Sequence, residues 1–176
     1  MTRLPAQTVL REWFHYDEAT GVFTWIKEPK AIGSRLGKIA GSKNRFGYVI
    51  IGVPGFGQVQ AHRLAWIYCY GLTIGGAEID HIDGNPSNNA ISNLRLATST
   101  QQKQNKRVQS NNRSGLKGAY YHAAHKGKKW RTQIAVRRPD GSKKLIFLGY
   151  FETAEEAHRT YGEAAKKHFG EFARVK

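Results

Sequence analysis

The spacing of apolar residues predicts a mixed set of strands and helices in the first half of the chain. Aromatic residues on both sides of Gly21 predict a small hairpin over residues 16–25, after a short helix near residues 9–14. A strand interrupted by glycines over residues 46–53 precedes an apolar helical stretch over residues 61–70. These elements suffice to build one hydrophobic core.

Alternating apolar and polar residues predict a two-sided sheet in the second half. Residues 130–137 place Trp130, Thr132, Ile134 and Val136 on one face, and the opposite face is basic. A turn over residues 138–141 leads into a second strand over residues 144–149. A capping box at residues 153–156 begins a helix with a narrow face of small residues, and Gly170 ends it.

Residues 110–115 separate these two halves. They are polar, turn-forming residues with nothing to bury, which is typical of a linker. We therefore predict an α+β protein with two small domains, residues 1–109 and residues 116–176, joined by a linker over residues 110–115.

The charge of the chain indicates an anionic partner. The sequence contains 28 Lys and Arg against 13 Asp and Glu, a formal net charge of +15, and nucleic acid is the first candidate for such a surface. Between Ala97 and Arg113 the basic residues Lys103, Lys106 and Arg107 occur without an acidic one. A helix there would suit a phosphate backbone, although a solvated helix face explains the same charges.

Two classes of protein are excluded by composition. No run of about 18 apolar residues is present, and the N-terminus lacks the apolar core of a signal peptide, so we expect an intracellular protein without a membrane partner. Cys69 is the only cysteine, so one chain can form neither a disulfide framework nor a cysteine zinc site.

Residues 79–95 contain the candidate catalytic and metal-binding residues. Phosphodiester hydrolysis requires a base that activates water and a divalent cation that stabilises developing charge. The adjacent residues Asp80 and His81 can supply both, with Asp80 holding the cation and His81 acting as the base. Because consecutive strand residues point to opposite faces, His81 reaches water beside an Asp80-bound metal only if the chain bends. A calcium-binding loop of the helix-loop-helix type that starts at Asp80 is excluded. It needs Gly at its sixth position and Glu at its twelfth, whereas here Gly84 is fifth and the twelfth residue is Ile91. An ordinary Asp-Gly hairpin with a surface histidine and no catalytic role remains the alternative interpretation of this segment.

Several spaced motifs resemble those of HNH endonucleases of the phage homing type. They are Ala61-His62-Arg63-Leu64-Ala65-Trp66, Asp80-His81-Ile82-Asp83-Gly84-Asn85, Asn93-Leu94-Arg95 and Ala97-Thr98. The resemblance implies a ββα-metal site that uses Mg²⁺ or Mn²⁺. In this site His81 is the general base, Asp80 is a metal ligand, and Asn93 braces the loop that carries His81.

The second metal ligand is where this sequence departs from the family pattern. The family has His or Asn on the following helix, and the matching position is Gln102. Gln offers the same amide oxygen on a longer side chain, and Asn105, one helical turn later, is the other candidate. His62 is more readily explained as a structural residue, whereas Arg63 is predicted to contact phosphate, with an internal ion pair as the alternative.

Residues 114–174 resemble the APETALA-two and ethylene-response-factor domain of plant transcription factors. The match rests on Lys117-Gly118, Trp130, Gln133-Ile134, Leu148-Gly149, Phe151-Glu152-Thr153-Ala154-Glu155-Glu156-Ala157, Tyr161, Ala164-Ala165 and Gly170-Glu171-Phe172-Ala173. It implies a three-stranded antiparallel sheet backed by one helix, with the exposed face in the major groove of DNA. The expected DNA-binding residues are Lys117, Tyr120, His122, Arg131, Gln133, Arg137 and Phe147. Tyr120 and His122 stand where the plant domains favour arginines.

The sequence thus predicts a metal-dependent endonuclease that binds double-stranded DNA, with nicking and double-strand cleavage both open. A monomer is slightly favoured over a dimer because the sequence gives no indication of a dimer interface. The alternative is a sequence-specific DNA-binding regulator whose nuclease site has decayed. An RNA-binding role ranks lower, since no stacking motif of the usual sheet type occurs.

Overall fold

A computed structural model describes residues 4–28, 34–71, 77–105, 108, 112–138 and 140–175. The fold is α+β, as the sequence predicts. Contacts group the chain into two compact units, Met1–Ser99 and Thr100–Lys176, and the finer division at residues 110–115 stays a prediction. Lys106, Arg107 and residues 110 and 111 of the predicted linker lie outside the described residues. Within the described part, no helix is long and apolar enough to cross a membrane.

The first unit contains helices, two hairpins and a small sheet. Its elements are α1 Gln7–Trp13, β1 Phe14–Asp17, β2 Val22–Trp25, β3 Ser42–Lys43, β4 Val49–Val53, β5 Gly57–Gln60, α2 Ala61–Tyr70, β6 Glu78–His81 and β7 Leu94–Ala97. Strands β1 and β2 pair, β3, β4 and β5 form one antiparallel sheet, and β6 pairs with β7. The predicted helix over residues 61–70 and the hairpin around Gly21 are confirmed.

The core of the first unit is built from aromatic and aliphatic side chains of these elements. Phe14 contacts Trp25 at 4.5 Å between ring centroids and Phe23 edge-on at 6.0 Å. Helix α2 contributes Leu64 and Ile67, both fully buried. It packs against α1, β4, β5 and β6, so its other residues are held beside the β6–β7 hairpin.

The turn between β1 and β2 lies directly against the chain at Asn89 and Ala90. Gly21 has φ of 74°, and a Cβ added there would lie 2.2 Å from both the Asn89 carbonyl carbon and the Ala90 nitrogen. Only glycine allows this approach and this φ without strain. The hydroxyl of Tyr16 also donates to the Asn89 carbonyl oxygen at 2.7 Å. The first hairpin is therefore a brace for the segment around Asn89.

The β6–β7 hairpin is followed in the chain by helix α3, Ser99–Gln104, which gives the expected ββα order. Asp80 faces Arg95 and His81 faces Leu94 across the antiparallel pair. The chain turns immediately after His81, because the Gly84 amide donates to the His81 carbonyl at 2.8 Å. The bend that the sequence requires after His81 is thus present.

The second unit contains a three-stranded antiparallel sheet with one helix packed on it, as predicted. Its strands are β8 Tyr120–Tyr121, β9 Trp130–Arg137 and β10 Lys143–Phe151, in the order β10-β9-β8, and its helix is α4 Ala154–Phe169. Thr132 and Ile134 of β9 are buried, and α4 packs against β9 and β10. The Thr153 hydroxyl caps α4 by accepting from the Glu156 amide at 3.2 Å.

Candidate active site

Asp80 is held in an ion pair on one face of the β6–β7 hairpin. Both Nε and Nη2 of Arg95 donate to its Oδ2, each at 3.1 Å, and both side chains are only 12% exposed. The pair follows from the register of the two strands, which puts these residues opposite each other. Asp80 therefore presents a carboxylate whose charge is already opposed by a guanidinium.

His81 points to the other face and is 6% exposed. Its ring meets the ring of His62 edge-on at 5.0 Å between centroids, and the Tyr48 ring lies 6.1 Å away. Tyr48 and His62 are themselves in contact at 5.6 Å. We refer to Tyr48, His62 and His81 as the ring cluster, which joins β6 to α2 and the β3–β4–β5 part of the unit.

His62 remains uncharged in this cluster at neutral pH. Burial, followed by the nearby His81 and Arg63, lowers the pKa of His62 to about 3. A neutral ring beside His81 adds no fixed positive charge to the site. The structural role predicted for His62 matches its burial in the ring cluster, and the proximity to His81 was not evident from the sequence.

Asn89 lies within hydrogen-bond distance of His81. Its Oδ1 lies 3.1 Å from His81 Nε2, and the Asn89 side chain is almost fully buried. The Asn89 amide nitrogen donates to the Ser87 carbonyl at 3.3 Å. Sequence reasoning did not single out Asn89, because it is one of four asparagines from residue 85 to residue 93 and, unlike Asn93, belongs to none of the recognised motifs.

Asn93 ties together the loop that follows His81. Its Nδ2 donates to Asp83 Oδ1 at 3.0 Å and to the Asn88 carbonyl at 2.8 Å, and its Oδ1 accepts from the Asp83 amide at 3.1 Å. Burial alone would raise the pKa of Asp83, but hydrogen bonds from Asn85, Asn88 and Asn93 outweigh it and lower that pKa. These hydrogen bonds place Asn93 within the loop that follows His81, and the role that the family resemblance implies for it stays a prediction.

The residues available for a metal ion are chemically suited to a hard cation. In the described ranges no group of three or more His, Cys, Asp or Glu side chains is placed to hold a metal. Mg²⁺ and Mn²⁺ accept a site with one carboxylate if amide, water or phosphate oxygens complete it. Asp80 offers that carboxylate in the first unit. Gln102 lies in α3 and Asn105 directly after it, both among residues of the second unit, and the identity of the second ligand stays a prediction.

Most of the predicted DNA-binding residues of the second unit share the sheet face opposite α4. Tyr120 pairs with Arg131, and Gln133 pairs with Phe147. Arg131 donates to Gln133 Oε1 at 2.7 Å and lies over the Phe147 ring at 5.7 Å. His122 sits beside the same face, 5.7 Å from the ring of Tyr150. The face combines cations with exposed aromatic rings.

A concavity of about 440 Å³ lies within the second unit. Predicted DNA-binding residues contribute to its wall, namely Lys103, Tyr120, Gln133 and Arg137, together with Lys143. Three cations around one recess make it a favourable place for phosphate oxygens.

Lys117 has a different environment from these residues. Its ammonium donates to the carbonyls of Gln104 and Arg174 at 3.0 and 2.9 Å. Burial, with a smaller effect of Arg174, lowers the pKa of Lys117 to about 8. The side chain therefore ties the end of α3 to the C-terminal segment, and a DNA contact by Lys117 stays a prediction.

The site belongs to a segment that is similar to a known nuclease family. Residues 59–104 match the family model described as HNH endonuclease. This stretch includes α2, the β6–β7 hairpin and α3, and so contains Asp80, His81, Asn93 and Gln102. The match supports a nuclease function.

Particular relatives extend the comparison. The chain is 44% identical over 59 residues to Protein 3.8 of Escherichia phage T7, a match that covers 34% of this chain and 49% of that protein. The chain thus spans about half the length of the curated relative it matches. A solved structure described as DNA binding and cleavage by the HNH homing endonuclease I-HmuI has 25% identity and a TM-score of 0.43, and covers 81% of this chain and 76% of that chain.

Proposed function

We propose that this chain is a homing-type, metal-dependent DNA endonuclease that hydrolyses phosphodiester bonds in double-stranded DNA. The observation that carries the proposal is the end of β6, where Asp80 and His81 point to opposite faces and the chain bends directly after them. The family match over residues 59–104 includes these same residues. His81 is the general base, and Asn93 keeps the loop that follows it in place.

Asp80 and Gln102 are the proposed metal ligands, with Asn105 as the alternative to Gln102. When bound, Mg²⁺ or Mn²⁺ supplies charge stabilisation for the phosphate and for the leaving oxygen. His81 takes the proton from the attacking water, and burial in the ring cluster limits its rotation. Arg95 fixes the Asp80 carboxylate through Oδ2 before DNA arrives.

The second unit is proposed to hold the enzyme on DNA in the manner of an APETALA-two domain. Support comes from its three-stranded sheet with a helix on one face and a cationic, aromatic opposite face. The proposed contacts are Lys103, Lys106, Arg107, Lys117, Tyr120, His122, Arg131, Gln133, Arg137 and Phe147, with Arg63 in the first unit. The domain would supply affinity through phosphate contacts and sequence preference through the sheet.

One observation favours a second function, a DNA-binding regulator with a decayed nuclease site. The Arg95 guanidinium already balances the charge of Asp80, so the carboxylate has an opposing charge without a divalent cation. A regulator would retain DNA binding and require no metal.

Plasmid cleavage tests the two functions against each other. Supercoiled plasmid is incubated with the full chain in Mg²⁺, in Mn²⁺ and in excess chelator, and nicked and linear products are counted separately. We expect metal-dependent cutting that His81→Ala abolishes while DNA affinity stays nearly unchanged. Cleavage by His81→Ala at the original rate would remove His81 as the base, and binding without cutting under every metal condition would favour the regulator.

The choice between Gln102 and Asn105 is tested by metal titration of the cleavage rate. If Gln102 is the ligand, Gln102→Ala requires more metal and Gln102→Asn retains or improves activity at low metal, because the shorter side chain loses less entropy on binding. Asn105→Ala then has the smaller effect. The reverse ranking would assign the ligand to Asn105.

A further inference from the structure

The orientation of the Asn89 side chain is fixed by its two hydrogen bonds. Its Nδ2 donates to the Ser87 carbonyl at 3.3 Å, and a carbonyl can only accept. The amide group must therefore direct Oδ1, not Nδ2, toward His81 Nε2, which lies 3.1 Å away. The amide oxygen has no hydrogen to donate.

This orientation determines which tautomer His81 adopts when its ring is neutral. Because Oδ1 is an acceptor only, the hydrogen of the bond must come from His81 Nε2. A neutral imidazole carries one N–H, so the lone pair is then on Nδ1. The opposite tautomer would put two lone pairs against each other in a site where Asn89 is 2% exposed, and leave the buried amide oxygen without its donor.

The backbone around Asn89 is held by contacts from the first hairpin. The Tyr16 hydroxyl donates to the Asn89 carbonyl at 2.7 Å, and the turn at Gly21 contacts the Asn89 and Ala90 backbone without room for a Cβ. The Ile91 amide donates to the Glu18 carbonyl at 3.0 Å. Three contacts from the first hairpin thus hold residues 89–91 of the loop.

We propose that Asn89 is the positioning residue that sets the tautomer of His81, so that Nδ1 is the nitrogen that accepts a proton from water. The proposal rests on the proposed function in one respect, the role of His81 as general base. Asn89 touches neither water nor DNA in this scheme. It acts only through the His81 ring, in the way that hydrogen-bonded partners orient imidazoles at other sites.

The tautomer can be observed directly in the full chain, without any assay of activity. The protein is labelled with ¹⁵N in histidine, and spectra are recorded at a pH where the His81 ring is neutral. The His81 signals are identified by their disappearance in His81→Gln. We expect a protonated, pyrrole-type Nε2 and an unprotonated, pyridine-type Nδ1. The opposite pattern in the unmodified protein would overturn the proposal without any variant of Asn89.

Variants of Asn89 then test whether this residue determines the tautomer of His81. Asn89→Leu removes the acceptor and keeps the branched shape of the side chain, and it should lower the Nε2–H fraction so that a measurable Nδ1–H signal appears, whereas Asn89→Asp keeps an acceptor oxygen and should keep Nε2 protonated. Ser87→Ala is the matched control, because it removes one hydrogen bond of the same loop, to the Gly47 carbonyl at 2.7 Å, and retains the Asn89 acceptor. An Nε2–H fraction in Asn89→Leu equal to that of the unmodified protein would overturn the proposal.

Kinetics separate positioning from simple loss of stability. In Asn89→Leu we expect kcat to fall by up to about 100-fold, the lower range for loss of general-base catalysis, because the ring is then held neither in one tautomer nor in one orientation, with KM nearly unchanged. Asn89→Asp should recover most of that loss, and Ser87→Ala should cleave near the original rate. An equal loss in Asn89→Leu and Asn89→Asp with unchanged tautomers would contradict the proposal. If His81→Ala still cuts, the proposed function fails, while the spectra decide the tautomer independently.

Discussion

Arg95 holds Oδ2 of Asp80 through two nitrogens, each at 3.1 Å, across adjacent antiparallel strands. The carboxylate is thereby oriented, but a divalent cation that binds Asp80 has to share it with a guanidinium. In the sequence, Arg95 is only the last residue of the motif Asn93-Leu94-Arg95 and has no assigned role. In the structure Arg95 pairs with Asp80, so we expect Arg95 to influence metal binding at Asp80, and this influence can be tested.

Replacing Arg95 with Ala should make the stability of the first unit depend on divalent metal. Removing the cation from a carboxylate that is 12% exposed should lower the free energy of unfolding by about 3 kcal/mol. Added Mn²⁺ can restore the opposing charge, so its effect on Tm should be larger in Arg95→Ala than in the unmodified protein. Calorimetry with and without Mn²⁺ measures both effects. The double variant with Asp80→Asn is the control, and an equal Tm response in all three proteins would contradict metal binding at Asp80.

Replacing His62 with Phe should make the first unit more resistant to acid. The pKa of folded His62 is about 3 against a usual 6.5, so the unfolded chain binds the proton first as pH falls. Stability attributable to neutral His62 is complete above pH 6.5 and decreases toward pH 3, by at most about 1.4 kcal/mol per pH unit. Urea unfolding followed at several pH values should show a smaller slope in His62→Phe. The exposed His168 on α4 supplies a control, His168→Phe, which should retain the original slope.

Replacing Lys117 with Met distinguishes a structural lysine from a DNA contact. Removing the bonds to the Gln104 and Arg174 carbonyls should destabilise the second unit by about 1 to 2 kcal/mol. The slope of log K against log salt for DNA binding should stay the same. A fall in that slope by about 0.9, the value for a single phosphate neutralised by one cation, would instead assign Lys117 to the DNA interface.

Replacing Arg131 or Arg137 with Ala should weaken DNA binding and reduce the salt slope by about 0.9 for each phosphate that is no longer neutralised. Both residues are on the sheet face opposite α4. Lys167→Ala removes the same charge from an exposed position of α4 and should leave the slope unchanged. Fluorescence anisotropy over a range of salt concentrations provides the measurement. Equal slopes for all these variants would remove the sheet face from the proposed interface.

Local patterns sufficed for much of the fold. The hairpin at Gly21, helix α2 and the capped helix α4 follow from turn residues, apolar spacing and the Thr153 cap, which all act within a few positions of the chain. The pairing of Asp80 with Arg95 depends on the register of β6 and β7, which a one-residue shift would abolish. The contact between Asn89 and His81 depends on a loop conformation that brings Asn89 back to the end of β6. The role of Lys117 depends on contacts with α3 and the C-terminal segment. Such contacts leave no local signal.

The brace formed by β1 and β2 limits how far the segment that matches the nuclease family can be transferred to another protein on its own. The family match begins at residue 59, whereas the contacts that hold residues 89–91 come from Tyr16, Glu18 and Gly21. A graft that transfers only residues 59–104 would carry the Asp-His pair without the support behind it. Engineering of chimaeras from this chain should therefore place the junction before residue 14, since the first hairpin and the β6–β7 hairpin with its loop contact each other directly.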